Sequence, residues 1–248
     1  MRAANVPVPL LPVVQAWRAG SVAVINDVYG VVQAWIADLP ASPVRDFLHQ
    51  GVVSVRAIAL SVVGVRVGAT PSCVSTGDCS GQDFSNQDLT GLYAPTVNFT
   101  GAKFEKTILN YADLNGTNLS GATLPGAELN YAYLSLAVLN QATLVDADLV
   151  GAELIGADLT GADLTNTLIT IARMRGAVLT RADLTNANLS QTNLNDADLS
   201  DSNLTDAVIA RADLTGANLT GANLTGVTWS YTTCPDGSET ADTGSCTA

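Results

Sequence analysis

The chain has 248 residues, a net charge of −12 and 14% charged side chains, against about a quarter in ordinary soluble domains. Asn, Thr, Ser and Gly carry the polar quota instead. This composition excludes a coiled coil, a disordered acidic tail and direct nucleic-acid binding, because neutralising a phosphate backbone needs Lys and Arg. One histidine and two methionines leave little for metal binding or acid–base catalysis. The charge is also divided along the chain: residues 1–70 hold five Arg against three Asp, and the rest holds six basic against twenty acidic residues. Two segments meet near Ala69–Thr70–Pro71.

The first segment, residues 1–70, is apolar and is expected to be mostly helical. Val13, Val14, Trp17, Val24, Val28, Val31, Val32, Trp35 and Ile36 recur at roughly helical intervals until Pro40 and Pro43. A second apolar run, Val52 to Val67, is interrupted by Arg56 and Arg66. Each would cost about 3 kcal/mol at the centre of a bilayer, so no transmembrane span is expected. The segment is expected to cap the second one, with a peripheral-membrane or partner-binding role as the competing reading. Pro7, Pro9 and Pro12 break the start and leave no long apolar stretch of the signal-peptide kind. Residues 35–51, with Leu-Pro-Ala-Ser-Pro-Val-Arg-Asp-Phe-Leu, resemble N-terminal modules of actinobacterial, especially mycobacterial, exported proteins. That resemblance implies export, with the signal then lying upstream of Met1.

From Phe84 to Trp229 a large apolar residue recurs every fifth position through thirty pentads, with Ala94 the one exception. A small residue sits two places before it, as at Ala112, Ala122, Ala152 and Ala182. Asp or Asn lies between them; Ser, Thr or Asn comes after, and then commonly Gly. A period of five matches neither helix nor strand, so each pentad must be one step of a stacked array. Residues two apart in extended backbone point to the same side, which places the small and large columns inside a narrow tube. The Asp/Asn, Ser/Thr and Gly columns then form its surface and corners.

The words Ala-Asp-Leu-Thr-Gly, Ala-Asn-Leu-Thr-Gly and Ala-Asp-Leu-Ser-Asp resemble the pentapeptide-repeat family. The resemblance implies an all-β solenoid, a right-handed quadrilateral β-helix with four pentads per coil and about seven and a half coils. At roughly 4.8 Å per coil the rod would be about 36 Å long. The implied organisation is a helical N-terminal segment over 1–70, a β-helix over 71–231 and a cysteine-containing tail over 232–248.

An open-ended tube needs covers for its unpaired edges. All four cysteines lie at its two ends. With ends about 36 Å apart, beyond disulfide reach, the implied pairing is local, Cys73–Cys79 and Cys234–Cys246. Free thiols and a metal site remain as alternatives, although the spacings are not of the metal-binding kind and no His lies near. Disulfides imply an oxidising compartment.

Catalytic chemistry finds no support. His49 is the only histidine and has no partner motif. Gly64 and Gly68 do not make a phosphate loop. Calcium at Asp146/Asp148 or Asp196/Asp198 lacks the repeat that binds it. The Asn-x-Ser/Thr words at Asn98, Asn118, Asn188, Asn203, Asn218 and Asn223 restate the pentad consensus. No enzyme activity, cofactor or metal is expected.

Stacking pentads twenty residues apart isolates one unusual face. Its outward column runs Asp88, Ile108, Glu128, Asp148, Leu168, Asn188, Val208, Thr228; the corner beside it runs Gly91, Tyr111, Tyr131, Gly151, Ile171, Gln191, Arg211, Tyr231. Contiguous exposed apolar surface marks a partner site. Ile108, Tyr111, Tyr131, Leu168 and Ile171 are the candidate interface, for a protein or cell-envelope partner or a homodimer. The expected function is a non-enzymatic, secreted or envelope-associated binding rod. The alternative comes from a branch of the family that resembles B-form DNA and binds type II topoisomerases, protecting against quinolones in the cytoplasm. Asp113, Glu128, Asp148, Glu153, Asp158 and Asp163 would then stand for phosphates.

Overall fold

The computed structural model describes residues 68, 70–241 and 244–246, and the chain divides into two compact units, Met1–Val67 and Gly68–Ala248. His49 and nearly all of the expected helical segment lie outside the described residues.

In the second unit every pentad turns at the residue two places after the interior one. These corner residues are left-handed, as at Asn86 (φ 61°), Tyr111 (60°), Gly151 (66°), Asp201 (56°) and Ile171 (54°). The sequence favours Gly, Asn and Asp there because other L-residues crowd their own carbonyl at positive φ. The corners bend the backbone into a flat coil whose edges pair with the next. Single-residue parallel bridges join residues twenty apart, from Asp78↔Asn98 through Asp213↔Thr233. Four pentads therefore close one coil. Backbone bonds tie the coils: the Leu89 N–H donates to the Ile108 carbonyl at 2.8 Å, and the Ile108 N–H donates to the Gln87 carbonyl at 2.9 Å.

We number the faces by their interior column: face 1 holds Phe84, Phe104 and Leu124; face 2 Leu89, Leu109 and Leu129; face 3 Ala94, Leu114 and Leu134; face 4 Phe99, Leu119 and Leu139. These residues and the alanines two places before them are buried, most with no exposure at all. Polar residues in the small column bond inward to the backbone: the Thr117 hydroxyl donates to the Leu114 carbonyl at 2.7 Å, and Thr107 to the Phe84 carbonyl at 2.8 Å.

The exception at Ala94 has a packing reason. Leu92, in the small column of the same pentad, is 2% exposed, so the two positions exchange volumes and the interior stays filled. Beside them Phe84, Phe99 and Phe104 pack as a trio, with ring centroids 5.0–5.8 Å apart.

The register is one pentad longer at each end than the apolar columns alone suggest. Cys79 occupies the interior column of face 4, below Phe99, and Cys234 that of face 3, above Leu214. A half-cystine is small and apolar, so it fills the column without matching its large-residue pattern. Cys79 is bonded to Cys73, beside the short 3-10 helix Ser72–Thr76, and Cys234 to Cys246. Each bridge thus ties a terminal segment to the core column itself. Beyond Thr233 the chain folds back antiparallel, Thr233↔Glu239, and the Thr240 N–H donates to the Thr232 carbonyl at 2.8 Å.

Two substitutions two residues apart separate interior from corner. Ile169→Ala, at 1% exposure, should cost about 2–5 kcal/mol of stability. Ile171→Gly, which relieves a left-handed β-branched residue, should change it by about 1 kcal/mol or less, in either direction. Denaturant unfolding of both variants measures the difference.

Candidate functional site

The corner between faces 2 and 3 is where the repeat chemistry is broken most often. Tyr111, Tyr131, Ile171 and Tyr231 all adopt left-handed φ, at 60°, 57°, 54° and 54°. A non-glycine residue in this region costs roughly 1–2 kcal/mol. Tyr111 and Tyr131 sit on successive coils with their rings stacked, 5.4 Å apart and 7° from parallel. The Tyr131 ring lies over the next corner, where a Cβ on Gly151 would come within 2.6 Å of it. Glycine at 151 therefore makes room for the ring as well as for the turn. Burial first, and the neighbouring Tyr131 phenol second, hold the Tyr111 hydroxyl above the ordinary phenol value.

Of the five candidate interface residues, Tyr131, Leu168 and Ile171 are exposed, at 45%, 45% and 44%. Ile108 and Tyr111 are half-buried, Tyr111 being screened by the stacked Tyr131. All five lie on face 2 and its corner. Among the described residues the large exposed apolar side chains are these three, Tyr231 on the same corner, and Leu136. Leu136, 70% exposed, sits on the corner between faces 3 and 4 and belongs to no predicted column. Its signal was available: a large apolar residue in the Gly position of its pentad.

Two carboxylates interrupt the strip. Bridges run Ile108↔Glu128↔Asp148↔Leu168, so both acids lie between the aliphatic groups. Asn110 donates to the Glu128 carboxylate at 2.9 Å and Asn130 to that of Asp148 at 3.1 Å. The Asn130 carbonyl oxygen in turn accepts the Val150 N–H at 3.0 Å, which holds the row rigid.

The other acidic candidates are not brought together. Asp113 and Glu153 lie on face 3, on either side of Tyr133; Asp158 is on face 4 and Asp163 on face 1. Asp113 is 8% exposed and accepts from Asn115 at 2.9 Å. Glu153 pairs with Arg173 at 3.3 Å. Asp158 and Asp163 each accept the N–H and hydroxyl of the threonine two residues on, at 2.6–3.1 Å. They act first as turn acceptors.

Among the described residues no group of three or more His, Cys, Asp or Glu is placed to hold a metal ion, and no helix is long and apolar enough to cross a membrane.

The family model for pentapeptide repeats matches residues 98–135, 132–170, 172–201 and 192–228, in eight copies. The chain belongs to the pentapeptide-repeat family. Proteins of this family form right-handed quadrilateral β-helices. Similar solved structures include HetL, involved in heterocyst differentiation regulation in the cyanobacterium Nostoc sp. strain PCC 7120. It is 27% identical over 67% of this chain and 96% of its own, with a TM-score of 0.31. Rfr23 from the cyanobacterium Cyanothece 51142 is 27% identical over 62% of this chain and 88% of its own, with a TM-score of 0.28. Full-length QnrB1, a plasmid-mediated fluoroquinolone resistance protein, is 18% identical over 60% of this chain and 92% of its own, with a TM-score of 0.33. No curated protein matches.

The same turn bonds set the response to acid. The Ser200 hydroxyl and N–H hold the Asp198 carboxyl below its ordinary value; Ser80 does the same for Asp78, by its N–H first, and Ser238 for Asp236. A depressed folded-state pKa contributes stability above the ordinary carboxylate range and loses it as pH falls through the folded value. Thermal stability should therefore be flat from neutral pH to about pH 5 and fall below about pH 4, as melting curves from pH 7 to pH 2 would show.

Proposed function

We propose that this protein is a non-enzymatic rod that binds a protein partner through face 2 and the adjoining corner, and that it works outside the cytoplasm. The observation that carries this reading is the clustering of apolar residues at left-handed corners of one edge. Gly or Asn would satisfy each turn without strain; this column departs from Gly, Asn and Asp at six corners, against one or two in each of the others, and that concentration points to a use for those side chains. Leu136 apart, the large exposed apolar side chains among the described residues all lie on face 2 and this corner, so the strip stands out as the main apolar area. Tyrosines suit such a role because each supplies large, stiff contact area with a polar tip.

The partner would place apolar groups over Tyr131, Leu168 and Ile171. A basic group would face Glu128 and Asp148, which lie between Ile108 and Leu168 on successive coils. The acidic residues favour this arrangement over a DNA-like one. A phosphate mimic needs its charges in long rows along the surface, whereas no face carries more than two of the six candidates, and Asp113, Asp158 and Asp163 are engaged in their own turns. The two disulfides support an oxidising location, since reducing compartments keep such thiols free.

Two measurements test the two halves of the reading. A photo-crosslinker at position 168 should capture a protein partner in the source cells, and one at the exposed Thr123, on face 1 and far from either end, should not. Tyr131→Asp with Leu168→Asp should abolish that capture while leaving melting temperature within a few degrees, because both side chains are exposed. Capture unchanged in the double variant would overturn the binding face. For location, alkylation in intact cells followed by intact mass should find no alkylated cysteine and place the protein in envelope or medium; four alkylated cysteines in cytosol would overturn export. Independently of both, Cys234→Ser with Cys246→Ser should cost about 2–4 kcal/mol and fray the C-terminal coil first.

A further inference from the structure

Among the described residues, the C-terminal end of the tube is covered on two of its four faces. The returning segment lies over face 3, where the Cys234 N–H donates to the Ser238 carbonyl at 2.7 Å, and reaches face 2, where the Thr240 hydroxyl donates to the Trp229 carbonyl at 2.6 Å. Faces 4 and 1 have no such cover among the described residues. In every coil below, the interior residue and the corner residue each donate a backbone N–H to the next coil, as Leu199 donates to Asn218 and Asp201 to Thr220, both at 2.9 Å. In the last coil the equivalent N–H groups of Leu219, Gly221, Leu224 and Gly226 have no acceptor among the described residues. The interior opens at the same place. Leu204 and Ala207 have no exposure, whereas Ala222, Leu224 and Val227, at the top of the tube, are only half-buried.

Acidic side chains ring this opening, one of them, Asp196, paired with Arg175 at 3.5 Å. Asp196, Asp201 and Asp206 occupy the three corners of the coil beneath, flanking faces 4 and 1, and all three are exposed. The corners above them are Gly216, Gly221 and Gly226. A Cβ there would lie 2.7, 2.3 and 2.0 Å from an oxygen of the carboxylate below. Pro235 lies over Gly216, whose N–H donates to its carbonyl at 2.9 Å, so it is Asp201 and Asp206 that face the uncovered part of the end.

We propose that faces 4 and 1 of this end receive a basic polypeptide segment from another protein, which continues the coil for two more pentads. The backbone template sets its form: acceptors for the four free N–H groups, and an apolar residue over Leu219 and over Leu224. The right-angle corner at Gly221 requires left-handed backbone in the middle of the segment, which a basic residue can adopt, as Lys106 and Arg181 do at their own corners. The carboxylate collar sets its charge, since Lys at the corners reaches down past Gly221 and Gly226 to Asp201 and Asp206. A second copy of this chain is the poorer occupant. End-to-end pairing about a two-fold axis would bring two such collars together. This site is separate from the strip on face 2 and stands independently of it.

The test uses the full-length protein and a dye-labelled decapeptide, Ala-Lys-Leu-Thr-Lys-Ala-Lys-Leu-Thr-Lys. One control replaces every Lys by Glu. A second is N-methylated at the second residue of each pentad, the position whose N–H would pair with the open edge as that of Asn223 pairs with the Ser202 carbonyl at 2.8 Å. The basic peptide should bind and slow amide exchange at Leu219, Gly221, Leu224 and Gly226, with both controls failing. Asp201→Lys with Asp206→Lys should weaken binding about tenfold or more, since reversing two charges removes attraction and adds repulsion. Equal binding by the N-methylated peptide, or binding without slowed exchange at these amides, would overturn the proposal. So would a free protein that already sediments as a dimer with these amides protected, because the occupant would then be a second copy.

Discussion

The left-handed corner at every fifth residue is the constraint on which the rest of this molecule depends. It turns a short extended step through a right angle, so that four steps return the chain above its starting point and offer each N–H and C=O to the coil on either side. Because the corner recurs without insertion from one end to the other, interior residues stack in columns and each coil buries the one below. Along most of its length the interior pairs Leu with Ala, with Phe in the first coils and Trp229 near the end. The exchange of Leu92 and Ala94 shows that the total volume, not the order, is what the packing demands.

A scaffold so regular makes its departures meaningful. Gly, Asn and Asp relieve the corner; Tyr and Ile do not, and the β-branched Ile171 is the least comfortable of all. Concentrating such residues along one edge raises local strain while creating the main apolar strip of the described surface. The acidic side chains obey the opposite logic. Asp158, Asp163 and Asp198 bind the backbone or hydroxyl two residues on, so much of the negative charge serves turn formation. Net charge alone is therefore a poor guide to what this surface recognises.

The ends are managed asymmetrically. At the start, aromatic rings fill the first coil and Cys79 carries a disulfide from inside the core column. At the finish, Cys234 does the same and its partner segment folds over half of the opening. Anchoring a cap through an interior column couples it to the packing of the coil beneath, which a surface bridge would not do. The uncovered half keeps a backbone edge, an apolar floor and an acidic rim together.

By itself the sequence determined the period, the assignment of columns to inside and outside, and the face that carries Ile108, Tyr131, Leu168 and Ile171. The first two come from spacing; the third needed four pentads per coil as well, which the family resemblance implied and the bridges between residues twenty apart bear out. The tertiary structure alone decided what depends on geometry between coils. Tyr131 lies over Gly151 and screens Tyr111, so two residues of one column differ in exposure. Cys79 and Cys234 belong to the core columns although they match no large-residue pattern. The last coil is closed on one side and open on the other because a returning segment of that length covers two faces, and periodicity says nothing about where a chain goes once the period ends.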